Sequence, residues 1–245
     1  VEDIDEAVEM LINGSVDLYD DMDLGNYVTS LEDAGLQIES SLRLGFGHLF
    51  INTRSATPSA GGTLLLHKAA FRRGLAYAVN KTRVCELSWG GWAQPIDDPL
   101  PELYGVWSPK YMGEIIGDYY GHYKNLALEE FSKLGIEDFD DDGWLEWNSS
   151  DPNSEINITI EGVDDPTVIS IVTNISESIR KVGIHVTAHF VDFDKLISDL
   201  ILGNFEVMFF GFGLSRIPYH MEDFASWDWL SYYGGWSNST YDDLI

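Results

Sequence analysis

The sequence predicts an α/β fold, and three observations in its second half carry that expectation. Ile156 to Glu161 and His185 to Val191 alternate apolar and polar side chains with a period of two, as strands with one buried face do. Between them, Pro166 to Val182 places apolar residues at helical spacing, opens on a proline and stops at Gly183. A further helix, Asp194 to Leu202, leads into the apolar run Glu206 to Phe210, which reads as a buried strand.

The first half is less regular. Ile4 to Leu11 has helical spacing and is stopped by Asn13-Gly14. Val16 to Tyr19 reads as a short strand, Tyr27 to Ala34 as a short helix, and Leu42 to Asn52 as a strand around two glycines. Ser55 to Thr63 is rich in Pro, Ser, Ala and Gly and is expected to be a linker or crossing point between lobes. Leu64 to Val79 is strongly periodic, with Arg72 and Arg73 on one side, and Cys85 is expected as a buried thiol in its continuation. Gly90 to Pro109 carries four prolines and reads as a long ordered loop, and Tyr123 to Leu134 is an amphipathic helix ended by Gly135.

Composition narrows the function. The 245 residues suffice for a sizeable core, and 41 acidic against 14 basic residues give a net charge of -27. Such a surface repels phosphate backbones and anionic membranes, which excludes nucleic-acid binding. No apolar run approaches the ~20 residues of a membrane-spanning helix. Cys85 is the single cysteine, so no internal disulfide forms. Val1 opens directly into an acidic helical pattern without a targeting segment, as if a longer chain had been cut.

Two stretches carry chemistry. Asp138-Phe139-Asp140-Asp141-Asp142-Gly143 sets carboxylates at every second position before a glycine turn, the arrangement that converges on a hard cation. Asp138, Asp140, Asp142, the carbonyl of Trp144 and Glu146 are the expected ligands, and the twelfth loop position, where a glutamate is usual, is Ser149. The expectation is a structural Ca2+, beside the plain alternative of an acidic turn without metal; no cofactor is required. From Phe205 to Ile245, an apolar strand empties into a loop crowded with aromatics and glycines, suited to present rings to a ligand. Candidate ligand-binding residues are Trp92, Phe212, Ser215, Arg216, Tyr233 and Trp236. Arg216 would grip an anionic group or pair with Glu222 or Asp223. The histidines form no HExxH pattern, and there is neither a G-x-S-x-G elbow nor a phosphate loop, so no enzyme is expected. Carboxylates beside tryptophans leave a carbohydrate hydrolase as a remote alternative.

Short motifs in a fixed order resemble one family. These are His48-Leu49-Phe50-Ile51-Asn52-Thr53, Ala70 to Lys81, Gly90-Gly91-Trp92-Ala93-Gln94-Pro95, Ile179 to Val186, Gly203-Asn204-Phe205-Glu206 and Trp236 to Ile245. The chain is similar to the extracellular solute-binding proteins of ABC importers, family 5, of the dipeptide, oligopeptide and nickel-binding type. The resemblance implies a periplasmic-binding-protein-like (type II) fold, mostly the second lobe of a two-lobed clamp. Residues 1–52 would belong to the first lobe leading to the hinge. Residues 53–245 would form the second lobe, incomplete at its C-terminal end. It further implies capture of a small solute, peptide-like or other, in an interlobe cleft and delivery to a membrane permease, by a monomer that is extracellular, at the cell surface or periplasmic. As an isolated piece, such a half clamp would bind its solute weakly. Peptide-binding members often carry an aspartate, within a DYPDP-like loop, that pairs with the ligand's ammonium; Ser215 and Arg216 stand at that place here. The alternative function is a calcium-stabilised cell-surface interaction module without transport.

Overall fold

The computed structural model describes residues 3–20, 23–41, 43–53, 62–108, 120–151, 153–228, 231 and 234–243. In chain order the helices are α1 (Ile4–Ile12), α2 (Val28–Asp33), α3 (Gly62–Leu66), α4 (Ala69–Ala78), α5 (Lys81–Trp89), α6 (Lys124–Ser132), α7 (Pro166–Arg180), α8 (Phe193–Leu202) and α9 (Ser239–Asp242). The strands are β1 (Gly45–Ile51), β2 (Asn157–Val163), β3 (His185–Val191) and β4 (Val207–Gly213). They form one mixed sheet in the order β1-β4-β2-β3, in which β2 runs parallel to both β3 and β4 and β1 is antiparallel to β4. α7 and α8 are the crossovers that parallel pairing demands.

Strand alternation sorts the core into two layers. Ile158, Ile160, Val186 and Val207 face α4, α6 and α7 and join Phe71, Phe131, Ile171, Ile175 and Ile179 in the main cluster. The opposite face of the sheet turns Met208 toward Leu196 and Leu200 of α8, with Phe50, Val163, Val191 and Phe210 packed alongside. A third, smaller cluster gathers Val8, Leu11 and Leu31 at the N-terminal end.

Local sequence sets the boundaries. Asp165 caps α7 by accepting hydrogen bonds from the backbone N–H groups of Thr167 at 2.9 Å and Val168 at 3.1 Å, ahead of Pro166. Gly183 ends that helix for two reasons. Its φ is +91°, and a Cβ there would stand 2.9 Å from the carbonyl oxygen of Gly143. α4 and α6 approach closely because Gly74 offers no side chain: a Cβ there would lie 2.3 Å from the ring of Phe131. The same pair is bridged by Arg73, which donates to the Glu130 carboxylate at 2.8 Å; Lys133 binds its other oxygen.

Several expectations require correction. Val16 to Tyr19 is not a strand. Val16 and Tyr19, three residues apart, pack against the Val8–Leu11–Leu31 cluster instead, and Leu18 is exposed, so the stretch has no alternating buried face. The long helix expected from Leu64 is two helices, α3 and α4. Cys85, buried as expected, lies on the separate α5, because Asn80 starts a new cap by accepting from the N–H of Arg83. The expected linker falls mostly outside the described residues, and Gly62 and Thr63 at its end already belong to α3. Gly90 to Pro101 is irregular, and a 3₁₀ helix follows over Glu102–Trp107. Among the described residues, no helix is long and apolar enough to cross a membrane.

Candidate functional site

The site grows from the way β4 leaves the sheet. β4 pairs with β2 at two positions, Ile160 with Val207 and Glu161 with Met208, and beyond these it runs on paired with β1. The result is a two-stranded ribbon in which Gly45 faces Gly213, Phe46 faces Phe212 and Gly47 faces Gly211. Because side chains alternate across a strand, one surface of the ribbon's end is glycine backbone, covered at Gly47 by the ring of Phe209, and the other is aromatic. Phe46 and Phe212 lie 6.0 Å apart between ring centroids, Phe212 stacks on His48 at 5.3 Å, and Phe210 sits 5.7 Å from Phe212.

This aromatic surface opens into a small cavity, about 50 Å³, lined by Phe46, Phe212, Gly213, Leu214, His220, Asp223 and Phe224. His220 is held in place: one ring nitrogen lies 2.7 Å from the Pro99 carbonyl and the ring stacks on Tyr104 at 5.5 Å. Tyr104 donates its hydroxyl to the Ser215 carbonyl at 2.8 Å. Burial, and then the neighbouring Asp228, push the Asp223 carboxyl above its ordinary range. The cavity therefore combines an apolar aromatic wall with an acid whose negative charge is poorly compensated. His48 is stripped of water, which lowers its pKa to about 4, so it acts as a neutral ring in this wall.

The other end of the ribbon is locked. Asn52 is fully buried; its N–H donates to the Glu206 carbonyl at 2.9 Å, and its side-chain amide donates to the carbonyls of Gly203 and Phe205 at 3.1 and 2.9 Å. Thr53 donates both its N–H and its hydroxyl to the Gly234 carbonyl, each at 2.7 Å. These bonds tie Asn52 and Thr53 to the entry of β4 and to Gly234.

The expected ligand-binding residues are only partly brought together. Phe212 lines the cavity, and Ser215 adjoins it through Tyr104. Arg216 is exposed on the loop after β4 and forms no ion pair among the described residues. Trp92 lies beside the N-terminal region, where a Cβ on Gly25 would stand 2.7 Å from its indole. Trp236 packs edge-on against Tyr241 at 5.5 Å. Tyr233 lies outside the described residues. Sequence reading missed Phe46, Tyr104, His220 and Asp223. Phe46 was within reach, since it alternates with His48 and Phe50 on one strand face; nothing local marks Asp223, which the 3₁₀ turn Tyr219–Phe224 brings to the cavity.

A second cluster stands apart from this cavity. Asp138, Asp140, Asp142 and Glu146 each bring a carboxylate oxygen within 4.8 Å of the others. The Trp144 side chain turns to stack on His185 at 3.7 Å.

The sequence matches, over residues 1–235, the family described as bacterial extracellular solute-binding proteins, family 5 Middle. No curated protein matches it. Among solved structures, the periplasmic oligopeptide-binding protein of an oligopeptide ABC transporter from Thermotoga maritima is similar with a TM-score of 0.78 and 22% identity, covering 100% of this chain and 46% of that one. The oligopeptide-binding protein AppA from Bacillus subtilis, in complex with a nonapeptide, gives 0.73 and 19% over the same shares, 100% and 46%. NikA from Brucella suis, in complex with Fe(III)-EDTA, gives 0.72 and 18%, covering 89% of this chain and 41% of that one. The chain thus spans less than half the length of these structures, and at such identities the likeness establishes the fold.

Proposed function

The chain belongs to the bacterial extracellular solute-binding proteins of family 5, and on that premise we propose that it serves as part of the solute receptor of an ABC importer. It would capture a small or peptide-like solute in a cleft between lobes and hand it to a membrane permease. In this reading residues 1–52 lead from a first lobe to the hinge and residues 53–245 form most of a second. The ribbon of β1 and β4 is the passage between them, and closure turns about it.

The observation that carries the reading is the aromatic cavity at the ribbon's free end. At about 50 Å³ it is far smaller than the ~300–1,000 Å³ of a complete small-molecule pocket. It suits one wall of a cleft, where rings bury the apolar part of a solute and Asp223 meets a polar group. The Asp223 carboxyl is raised by burial and by Asp228, so a cationic group would relieve it on both counts. We therefore favour a solute that bears a positive charge or a cluster of N–H donors, an ammonium among them. Here Asp223 supplies the acid that is missing at Ser215 and Arg216. Arg216, exposed on the loop that follows β4, would meet an anionic group at the solute's other end.

Native mass spectrometry of the full-length protein purified from its host tests this. A bound small solute is expected as a mass excess over the bare chain. Phe212→Ala is expected to weaken its retention about 10- to 100-fold, as loss of a central aromatic anchor does. Asp223→Asn should discriminate specifically against cationic solutes. Retention of the same solute at unchanged occupancy by both variants would show that the ribbon end is not the binding wall. No observation favours the cell-surface module without transport.

A further inference from the structure

Glu146 is 1% exposed, yet one of its carboxylate oxygens, Oε1, has no hydrogen-bond partner. Its other oxygen accepts the N–H of Phe139 at 2.8 Å, which fixes the carboxylate across the mouth of the loop. A buried, half-satisfied carboxylate is costly, and it stands beside three more carboxylates, those of Asp138, Asp140 and Asp142. Among the described residues no lysine or arginine forms an ion pair with any of the four.

We propose that this loop is a calcium site, with Glu146 Oε1 as its buried ligand. The spread of donor atoms fits. Four carboxylate oxygens, one from each residue, lie within 4.8 Å of one another. Oxygens on opposite sides of a Ca2+ with bonds of about 2.3–2.6 Å are about 5 Å apart. Backbone N–H groups already orient the carboxylates, each oxygen keeping a lone pair for a cation; the Oδ1 of Asp140 accepts from the N–H of Asp142 at 3.3 Å. Asp138 accepts from the N–H groups of Asp142 and Gly143 at 3.1 and 2.9 Å, and Asp142 accepts from Trp144 at 2.8 Å. The carbonyl of Trp144 is the backbone ligand that the loop spacing offers. Glu146, eight residues after Asp138, takes over the closing role that the serine at position 149 cannot fill. Calcium suits this mixed, roomy set of oxygens better than magnesium, which demands a tighter octahedron and keeps its own waters.

The ion would be structural. The Glu146 backbone pairs in both directions with Glu137, and its neighbour Leu145 donates its N–H to the Gly183 carbonyl at 2.7 Å and accepts from Ile156 at 2.9 Å. Calcium at the loop would therefore tie the end of α6, the turn between α7 and β3, and the entry to β2 into one unit.

The test uses the full chain stripped with EDTA, then titrated with CaCl2 by calorimetry and with Tb3+ by luminescence, since the indole of Trp144 belongs to the loop. One Ca2+ per chain is expected, with a dissociation constant at or below about 10⁻³ M. A 100-fold excess over that constant should raise the melting temperature by about 5–10 °C. MgCl2 should compete at least 10-fold more weakly. Glu146→Gln keeps the acceptor for Phe139 but removes the charge, and is expected to weaken binding at least 10-fold. Asp140→Asn, at an exposed ligand, should do the same without touching the core, which guards against a folding defect in the first variant. Absence of calcium binding by the stripped wild type, or equal calcium affinity in both variants and wild type, would overturn the proposal.

Discussion

Glu161 and His48 each bury a polar atom without a hydrogen-bond partner, and they respond to pH in opposite senses. Glu161 lies on β2 beneath α8, where burial and then its hydrogen bond to Asp199 push its pKa up to about 7; Lys195 pairs with Asp199 from the helix above. The unfolded chain ionises this carboxyl near 4.5, so folding stability from this group falls as pH rises from about 4.5 to 7. His48, lowered by burial to about 4 from 6.5, stays neutral in the fold while the unfolded chain takes up a proton, so its contribution is lost as pH falls from about 6.5 to 4. Glu161→Gln should therefore stabilise the protein at pH 7 by up to about 3 kcal/mol and do little at pH 4.5, read by urea denaturation at both values. A variant that gains as much at pH 4.5 as at pH 7 would place the cost of Glu161 outside its ionisation. Such residues were illegible in the sequence. Glu161 reads as an ordinary polar position of an alternating strand, and only the arrival of Asp199 from another element makes it unusual. The aspartates of the 138–142 loop were legible because their geometry is local, set by spacing along a few residues.

At the scale of elements, α4 and α6 meet in close contact at Gly74. Gly74 leaves room for the ring of Phe131 and nothing more, and Phe71 meets that ring at 5.3 Å. Gly74→Ala should improve helix propensity by about 1 kcal/mol yet lose more through overpacking, for a net destabilisation of about 1–3 kcal/mol in thermal or denaturant unfolding. Elements with strong period and clear caps were read closely: α7, β3, α8 and most of β2 fall within a residue or two of their expected ends. The failures share one cause. Val16 to Tyr19 reads like a strand but has no strand to pair with among the described residues, and the run from Leu64 to Cys85 has one continuous apolar period but two breaks made by Lys68 and Asn80. Pairing partners and caps are tertiary or single-residue events, which periodicity averages away.

For the whole molecule, the net charge of -27 acts on every folded conformation at once. Self-repulsion of a compact anion destabilises it, and salt shortens its reach from about 10 Å at 0.1 M to about 3 Å at 1 M. The melting temperature should rise between 0.1 and 1 M NaCl, and by more in EDTA than in calcium if the 138–146 loop holds its ion. A melting temperature that falls across that range would assign the acid excess to favourable pairing instead. The architecture was legible in outline because alternating strands and helices admit few layouts. The site was legible only at Phe212, because it joins that residue to Phe46, Tyr104 and Asp223 from other parts of the chain.

The sheet itself carries one more implication. β2 has a neighbour on each side and β3 is covered by α7, but the far half of β4 pairs with β1 alone. Two coupled strands wind more freely than four. A twist imposed at the aromatic tip would thus be taken up along Phe209 to Gly213 and end at the junction made by Asn52.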